Sequence, residues 1–371
     1  MNFQPGNLSS FHSDVLQQTK LGQLCGQGQL FRDRYEVLRM IGRGGFGVTF
    51  LARDSLLPGQ PMCVIKQLCP KFHDPSALEN ARRRFEREAK TLAKLGSHSQ
   101  IPMLLDYFIA EGEFYLVQEY IRGSTLARLV RRSGCLSETA AKRFLREMLP
   151  VLEYIHNQQV IHRDIKPQNI IRCQDDGRLV LIDFGAVKEQ IAQGDTSLKA
   201  STTHFIGTVG FAPPEQFYLR PVFASDIYSL GVTCLYLLTG KAPLDFDSDP
   251  QTGELLWQRS LHLSNSFARI LGRMLKISLQ DRYRSAKAIL RDLNSESLDD
   301  NLSKYLVIRS QPEQDEPVNQ NNSSSDSHHS PAAKAAIAIR DWKHRMQEKQ
   351  RQRQKEKIES LLSQSKGKNT F

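Results

Sequence analysis

Hydrophobic residues alternate with polar ones in five stretches between residues 35 and 119. These stretches are rich in β-branched and aromatic residues and are separated by turns with Gly or Pro; they are Tyr35–Ile41, Val48–Arg53, Met62–Lys66, Leu104–Phe108 and Glu113–Glu119. Such alternation is typical of strands that are buried on one face. Between the third and fourth strands, Asp74-Pro75 starts a predicted helix that Gly96 ends. The pattern therefore predicts an antiparallel sheet with one helix.

Helical periodicity replaces this alternation after Gly123. Residues 140–158 carry their apolar side chains on one helical face, whereas residues 224–239 are apolar almost all round, which indicates a helix buried at the centre of a lobe. Shorter helices are predicted at 266–275 and 285–293. The whole is an α+β, bilobal fold with a cleft between a β-rich first lobe, residues 35–121, and a helical second lobe, residues 122–294.

The composition changes on both sides of this predicted two-lobed domain. Residues 1–34 are polar and rich in Gln and Gly, and we expect a mobile N-terminal arm, or one that packs on the first lobe, rather than a separate domain. Residues 295–330 are predicted to be a largely disordered linker, since 311–330 hold four acids, no Lys or Arg and almost no apolar residue. Residues 331–371 form a basic tail, which we expect to be helical at least in part because 332–362 contain no Gly or Pro.

The net charge of +10 is a property of this tail. Residues 331–371 hold 11 Lys and Arg against 4 Asp and Glu, a surplus of +7 that leaves +3 for the rest of the chain. We expect the tail either to bind an acidic partner or to fold back on the acidic linker. Trp342 is the only aromatic residue within the charged run, so nucleic-acid binding through a series of stacked bases is not favoured.

The remaining composition predicts a cytoplasmic protein. No apolar run approaches the roughly eighteen residues that a membrane span needs, and the N-terminus lacks the basic start and apolar run of a secretory signal. The cysteines are scattered without CxxC pairs, which fits reduced thiols better than disulfides or a zinc site; they are Cys25, Cys63, Cys69, Cys135, Cys173 and Cys234.

Two short motifs in the second lobe carry most of the candidate chemistry: HRDIKPQN at residues 162–169 and DFG at residues 183–185. Transfer of a phosphoryl group needs a carboxylate that orients a hydroxyl, a cation on the moving phosphoryl group and hard oxygen ligands for magnesium. Asp164 is therefore the candidate catalytic carboxylate and Lys166 the catalytic cation. Asn169 and Asp183 are the candidate metal ligands.

The first lobe adds a glycine-rich turn and a candidate ion pair. The turn, GRGGFG at residues 42–47, joins two strands, which favours a lid over phosphates and not a dinucleotide-binding turn, since the latter opens a helix. Lys66 ends the third strand, and its expected partner is Glu88 in the predicted helix. Glu86 is the rival, but Glu88 shares a helical face with Leu92 and Leu95.

Together these motifs resemble the eukaryotic-like (Hanks-type) serine/threonine protein kinases. The stretches GGFGVTFLA at 44–52 and CVIKQ at 63–67 are most similar to the cyanobacterial branch, and the resemblance covers residues 35–294. It implies transfer of the ATP γ-phosphate to Ser and Thr hydroxyls of proteins, with Mg²⁺ as the metal and Mn²⁺ as the alternative. The Lys two residues after Asp164 is typical of the serine/threonine subclass.

The resemblance also implies where ATP binds. The residues assigned to that site are Ile41, Gly42, Arg43, Gly44, Gly45, Phe46, Gly47, Val48, Lys66, Glu88, Glu119, Ile121 and Ile171. Lys66 would hold the α- and β-phosphates, while the Glu119 carbonyl and the Ile121 N–H would contact adenine beside the gatekeeper Gln118.

A polar segment after residue 185 resembles an activation loop. Its candidate autophosphorylation sites are Ser201, Thr202 and Thr203, and Arg163 is the expected partner of a phosphate there. Gly207-Thr208 resembles the stretch that receives the substrate residue.

Two departures from the family pattern bear on structure and specificity. The closing motif is PPE at 213–215 where the family has Ala-Pro-Glu, and Glu215 is still expected to pair with Arg282. Thr125 and Gln168 are uncharged where relatives that require an upstream Arg carry acids, so we expect no strict requirement of this kind. The alternative to an active enzyme is a catalytically dead, kinase-like ATP-binding scaffold. The presence of all the polar residues expected in the cleft argues against it.

Overall fold

The computed structural model describes residues 17–295 apart from 18, 44–46, 69–74, 97, 190–207 and 209. Gly44, Gly45 and Phe46 of the predicted ATP site lie outside the described residues, as do the candidate phosphorylation sites Ser201–Thr203. Half of the predicted N-terminal arm, nearly all of the linker and the whole basic tail also lie outside them.

A six-stranded antiparallel sheet in the order β1-β2-β3-β4-β6-β5 forms the first lobe. Its strands are β1 (Leu30–Phe31), β2 (Tyr35–Arg43), β3 (Gly47–Asp54), β4 (Met62–Leu68), β5 (Leu104–Ala110) and β6 (Glu113–Glu119). Helix α1 (Lys20–Leu24) precedes the sheet, and α2 (Pro75–Leu95) joins β4 to β5. All five strands predicted from the alternation are present. The predicted helix is α2, which ends before Gly96 in a left-handed conformation (φ +61°).

The sixth strand comes from the N-terminal arm, which alternation alone did not reveal. Phe31 of β1 pairs with Tyr35, and both side chains belong to the core on this side of the sheet. Leu21 of α1 is fully buried in the same core, and its N–H donates to Gln67 Oε1 at 3.3 Å. From Thr19 onward the arm therefore packs on the sheet, which is one of its two expected behaviours. Strand β1 was not predicted because two residues are too few to show an alternation of apolar and polar positions.

The second lobe is mainly helical. Its helices are α3 (Leu126–Ser133), α4 (Glu138–Asn157), α5 (Pro214–Phe217), α6 (Phe223–Thr239), α7 (Asn265–Met274) and α8 at residues 286–295. The described residues of this lobe also form three 3₁₀ turns, at Pro167–Asn169, Pro243–Asp245 and Gln258–Ser260. Helix α6 is buried along nearly its whole length, as predicted from its apolar character. The α+β bilobal fold is thereby confirmed.

Short strands frame the cleft side of this lobe. Strands β7 (Gly123–Thr125), β9 (Ile170–Cys173) and β10 (Leu179–Leu181) form an antiparallel sheet, and β8 (Val160–Ile161) pairs with β11 (Lys188–Glu189). The HRDIKPQN motif lies between β8 and β9, and the DFG motif lies between β10 and β11. Among the helices in the described ranges, none has the length and apolarity that a membrane span requires.

Candidate active site

Three polar side chains converge on the carboxylate of Asp164. Oδ2 accepts hydrogen bonds from Lys166 Nζ at 2.7 Å and from Asn169 Nδ2 at 3.0 Å. Oδ1 accepts from the Thr208 hydroxyl at 2.8 Å, and Lys166 Nζ also donates to Thr208 Oγ1 at 2.7 Å. A carboxylate, an ammonium, an amide and a hydroxyl thus lie within one hydrogen-bonded group. The motif spacing brought the first three together, but the contact with Thr208 was not predicted.

A buried carboxylate on α6 holds this loop in place. Asp226 is fully buried, and its oxygens accept hydrogen bonds from the main-chain N–H groups of His162 at 2.9 Å and Arg163 at 2.8 Å. Its Oδ2 also lies 2.9 Å from His156 Nε2 on α4. Arg163 has a positive φ of 71°, a conformation rare for residues other than Gly, and these bonds help to hold it. Asp226 therefore fixes the backbone just before Asp164.

Sequence reasoning missed Asp226 and His156. The available signal was an acid within a segment, 224–239, that is otherwise almost entirely apolar. A buried charge needs partners, so such an acid indicates that main-chain or side-chain donors from elsewhere meet it. The pattern did not say which donors these would be.

Lys66 lies between two carboxylates at the other side of the cleft. Its Nζ is 2.5 Å from Glu88 Oε1 and 3.3 Å from Asp183 Oδ1, so the contact with Glu88 predicted from helix spacing is present. Glu86 instead pairs with Arg82 on the exposed side of α2. Burial alone would lower the pKa of Lys66, but Glu88 and Asp183 together raise it above its ordinary value. The ammonium therefore stays charged.

Asp183 faces the cleft and stays ionised. Its side chain is 48% exposed, and the charge of the nearby Lys66 lowers its pKa below the ordinary value by more than partial desolvation raises it. The main-chain N–H of Ile182 donates to the Asn169 carbonyl at 2.9 Å, which ties the DFG motif to the HRDIKPQN motif. Phe184 is buried and packs edge-on against His162, with 4.8 Å between ring centroids. These contacts bring the two candidate metal ligands to the same end of the cleft.

The donor set at this point fits a metal ion that shares its coordination with a nucleotide. In the part of the chain that the structure describes, no group of three or more His, Cys, Asp or Glu side chains could hold a metal alone. Asn169 uses its Nδ2 on Asp164, which leaves Oδ1 of the amide for a metal. One amide oxygen and one carboxylate are too few ligands for Mg²⁺ unless phosphate oxygens and waters complete the shell.

The glycine-rich turn contains glycines of two kinds. A Cβ at Gly47 would lie 2.5 Å from the Gln67 carbonyl oxygen of β4, so the sheet itself excludes a side chain there. At Gly42 a Cβ would meet only Thr49, at an ordinary contact distance of 3.8 Å. Sequence reasoning assigned both glycines to the approach of phosphates. The structure gives Gly47 a different reason, the packing of β3 on β4, whereas Gly42 has no neighbour among the described residues that demands glycine.

The predicted adenine-binding residues meet at the junction of the lobes. Ile121 is buried in a small apolar cluster with Cys173 and Val180, against which Ile171 packs. Glu119 lies at the end of β6, where its N–H donates to the Met103 carbonyl at 2.9 Å. The cluster supplies an apolar surface beside the end of β6, as an adenine-binding slot requires.

The second predicted ion pair lies deep in the second lobe. Arg282 Nη1 is 2.6 Å from Glu215 Oε1, and the guanidinium also donates to the carbonyls of Lys276, Ile277 and Ala224. The Ser225 hydroxyl donates to Glu215 Oε1 at 2.8 Å. The predicted Glu215–Arg282 pair is confirmed, and the change from Ala to Pro213 in the closing motif leaves it intact.

Known proteins that resemble this chain are protein kinases. Residues 35–293 match the protein kinase domain family. The chain is 50% identical over 289 residues to serine/threonine-protein kinase B of Synechocystis sp., which covers 77% of this chain and 50% of that protein. It is 45% identical over 268 residues to serine/threonine-protein kinase PknA of Nostoc sp., which covers 71% of this chain and 48% of that protein. The chain thus spans about half the length of these curated relatives.

Proposed function

The chain belongs to the protein kinase family, and from that membership we propose that it transfers the γ-phosphate of ATP to serine and threonine hydroxyls of proteins. The family uses ATP and a divalent metal ion. The observation that carries the proposal is the Asp164 carboxylate, which already accepts a hydrogen bond from a threonine hydroxyl, that of Thr208. A substrate hydroxyl needs the same contact with a carboxylate in order to attack phosphorus.

Each polar side chain has a role that follows from its position. Asp164 orients the incoming hydroxyl and accepts its proton, and Lys166 compensates the negative charge that builds up on the transferred group. Glu88 fixes Lys66, whose ammonium then contacts the α- and β-phosphates. Because Lys66 already lies between two carboxylates, little reorganisation is needed when the phosphates arrive.

Asn169 and Asp183 would hold the metal, and Mg²⁺ fits their hard oxygen atoms, with Mn²⁺ as the alternative. When bound, the ion neutralises phosphate charge and fixes the geometry of the triphosphate. The residues of the chain prepare this site by keeping the Asp183 carboxylate ionised and the Asn169 amide oriented by Asp164.

The test is phosphate transfer by the full chain. The protein is incubated with γ-labelled ATP, Mg²⁺ and a generic protein such as casein, and phosphorylated residues are identified by mass spectrometry. We expect label on Ser and Thr, and a loss of about 10²–10⁴-fold in the Asp164→Asn variant. Equal rates for the parent chain and the variant would show that Asp164 is not the catalytic carboxylate. ATP binding without transfer would support the scaffold alternative.

Regulation by phosphorylation is part of the proposal. Arg163 is almost fully buried beside Asp164, where its charge can order a phosphorylated segment through bidentate contacts. We expect label on Ser201, Thr202 or Thr203, and lower activity toward an added substrate when all three are Ala. Unchanged activity in that triple variant would refute this part.

The basic tail, residues 331–371, is proposed to recruit an acidic protein. Its surplus of positive charge makes such binding sensitive to salt. We expect deletion of the tail to leave activity on short peptides intact and to remove a salt-sensitive interaction with acidic proteins. Cytoplasmic location and the lack of nucleic-acid binding stay predictions of the sequence.

A further inference from the structure

A groove on the second lobe lies apart from the candidate active site. It has a volume of about 720 Å³ and runs between α3, α4 and the turn that joins β9 to β10. Apolar side chains, among them Leu129, Leu136 and Phe144, form its floor. Arg143 and Arg172 stand on its exposed rim. The groove therefore combines an apolar floor with positive charge.

The charges on the rim are not balanced within the described residues. Asp176 pairs with Arg178, and Glu147 accepts a hydrogen bond from the Leu179 N–H. No carboxylate of the described ranges forms a salt bridge with the other two arginines of the rim, Arg143 and Arg172. A segment that fits this groove should carry acidic residues followed or preceded by apolar ones.

The chain leaves the described structure close to this groove. The Leu293 carbonyl in α8 accepts a hydrogen bond from Arg146 Nη2 on α4 at 2.9 Å. Arg146 lies one helical turn, about 5 Å along the axis, from Arg143 on the rim. Four residues of extended chain beyond Ser295 reach about 13 Å. Residues 296–300 can therefore reach the charged rim.

The sequence that follows α8 has the matching chemistry. Glu296, Asp299 and Asp300 place three acids within five residues, directly after the last described residue. Leu302 and Leu306 follow at a spacing of four, a spacing that would bring both to one face if the docked segment forms a helical turn. Acidic residues thus come first, within reach of the rim, and apolar residues follow them along the chain.

We propose that the groove between α3 and α4 is a docking site for residues 296–308 of the same chain. Asp299 and Asp300 pair with Arg143 and Arg172, and Leu302 and Leu306 lie on the apolar floor. The inference does not depend on the proposed phosphotransfer, because it concerns a surface outside the cleft.

Cys135 gives a direct readout in the full-length chain. This thiol is exposed and lines the groove, whereas Cys63, Cys173 and Cys234 are buried. The rate of its alkylation by a neutral maleimide is followed by peptide mass spectrometry. In the parent chain the docked segment should cover the thiol. Asp299→Lys with Asp300→Lys should speed the alkylation of Cys135 by about three- to tenfold, as expected for the loss of two exposed charge pairs.

Two further variants separate shielding of the Cys135 thiol by the docked segment from the direct effect of nearby charge on its reactivity. Positive charge near a thiol favours the reactive thiolate, so Arg143→Glu with Arg172→Glu would by itself slow the reaction. Under the proposal it speeds the reaction instead, because the segment is released. Combining the two pairs of reversals should restore slow alkylation. Glu313→Lys with Asp315→Lys, the same charge change beyond the segment, should leave the rate unchanged.

The last experiment adds a synthetic peptide of residues 296–308. Added to the Asp299→Lys, Asp300→Lys chain, it should slow alkylation of Cys135 again, and a scrambled peptide should not. The proposal is overturned if Cys135 reacts at the same rate in the parent chain and in the Asp299→Lys, Asp300→Lys chain. It is also overturned if the Arg143→Glu, Arg172→Glu chain reacts more slowly than the parent.

Discussion

The Glu215–Arg282 and Glu88–Lys66 ion pairs differ in what surrounds the cation. In the second lobe, the Arg282 side chain is fully buried, and Glu215 is the one carboxylate among its described partners; the others are three main-chain carbonyls. In the first lobe, Lys66 keeps 16% of its side chain exposed and contacts the carboxylates of Glu88 and Asp183. We call the Glu215–Arg282 pair closed, because its cation is shielded from solvent. We call the Glu88–Lys66 pair open, because its cation is partly exposed to the cleft and also contacts Asp183.

This difference predicts that the second-lobe pair stabilises the fold, whereas the first-lobe pair positions the Lys66 ammonium for turnover. When one member of a closed pair is removed, a buried charge is left without compensation, and the fold loses stability. When a member of the open pair is removed, the remaining groups can pair again or change protonation, so stability changes little. What is lost there is the position of the ammonium that would meet the phosphates.

The largest effect on stability is expected for Arg282→Met. It leaves the Glu215 carboxylate facing the space of a lost guanidinium, and the free energy of unfolding should fall by about 3–5 kcal/mol. Urea denaturation followed by circular dichroism measures it. Lys276→Met breaks the more exposed pair with Glu254, and as the matched control it should cost no more than about 1 kcal/mol. Equal losses in the two variants would show that burial does not decide how much the Glu215–Arg282 pair contributes to stability.

Lys66→Met should instead act mainly on turnover. Burial raises the pKa of Glu88, so without Lys66 this carboxyl takes up a proton and is not left as a buried charge. We expect kcat/KM for ATP to fall by about 10²-fold or more, through loss of a preorganised charge, while the urea midpoint stays near that of the parent. A variant that unfolds as readily as Arg282→Met would place Lys66 among the structural residues.

The pH dependence of stability tests the environment of His162, at the start of the HRDIKPQN motif. Burial lowers the pKa of His162 from its ordinary value of 6.5, so the unfolded chain binds this proton more readily than the folded chain. The stability due to the neutral imidazole is therefore present above about pH 6.5 and is lost as the pH falls below it, by up to about 1.4 kcal/mol per pH unit. In His162→Gln the slope between pH 6.5 and 5 should be smaller by that amount. An unchanged slope would mean that His162 is not held neutral.

The smallest effect is expected for Glu86→Gln. This variant tests whether Glu88, and not Glu86, is the partner of Lys66. Glu86 pairs with Arg82 four residues earlier on the exposed side of the helix. Because solvent screens such an exposed pair, its loss should hardly change the free energy of unfolding and should leave kcat/KM unchanged. A large loss of turnover in this variant would mean that Glu86, and not Glu88, serves Lys66.

The sequence was sufficient where a local rule determines the contact. The alternation of apolar and polar residues predicted the strands, and the continuous apolar character of residues 224–239 predicted the burial of α6. Helix spacing favoured Glu88 over Glu86. Each of these depends on residues within one element or on a motif of fixed spacing. The Glu215–Arg282 pair was predictable because both residues belong to motifs that the resemblance covers.

The sequence was insufficient where distant segments meet. Asp226 accepts hydrogen bonds from main-chain groups more than 60 residues away, and main-chain donors leave no mark on side-chain pattern. The demand for glycine at position 47 arises from the register of β3 on β4, which only the assembled sheet defines. The burial of Leu21 likewise depends on a core that β1 completes.

If Glu215 stabilises the fold and Glu88 positions Lys66 for turnover, Glu88→Gln and Glu215→Gln should give opposite results in two assays. Both variants replace a carboxylate by an amide of nearly the same shape. For Glu215→Gln we predict a loss of about 3 kcal/mol in the free energy of unfolding, as for a buried charge that loses its partner. Its kcat/KM per folded molecule should change little.

For Glu88→Gln we predict at least a tenfold loss of kcat/KM, as for a mispositioned charge, with a free energy of unfolding within about 1 kcal/mol of the parent, because Asp183 still compensates Lys66. The opposite pattern, with Glu88→Gln unfolding the chain and Glu215→Gln impairing only turnover, would contradict the account, as would equal losses in both assays.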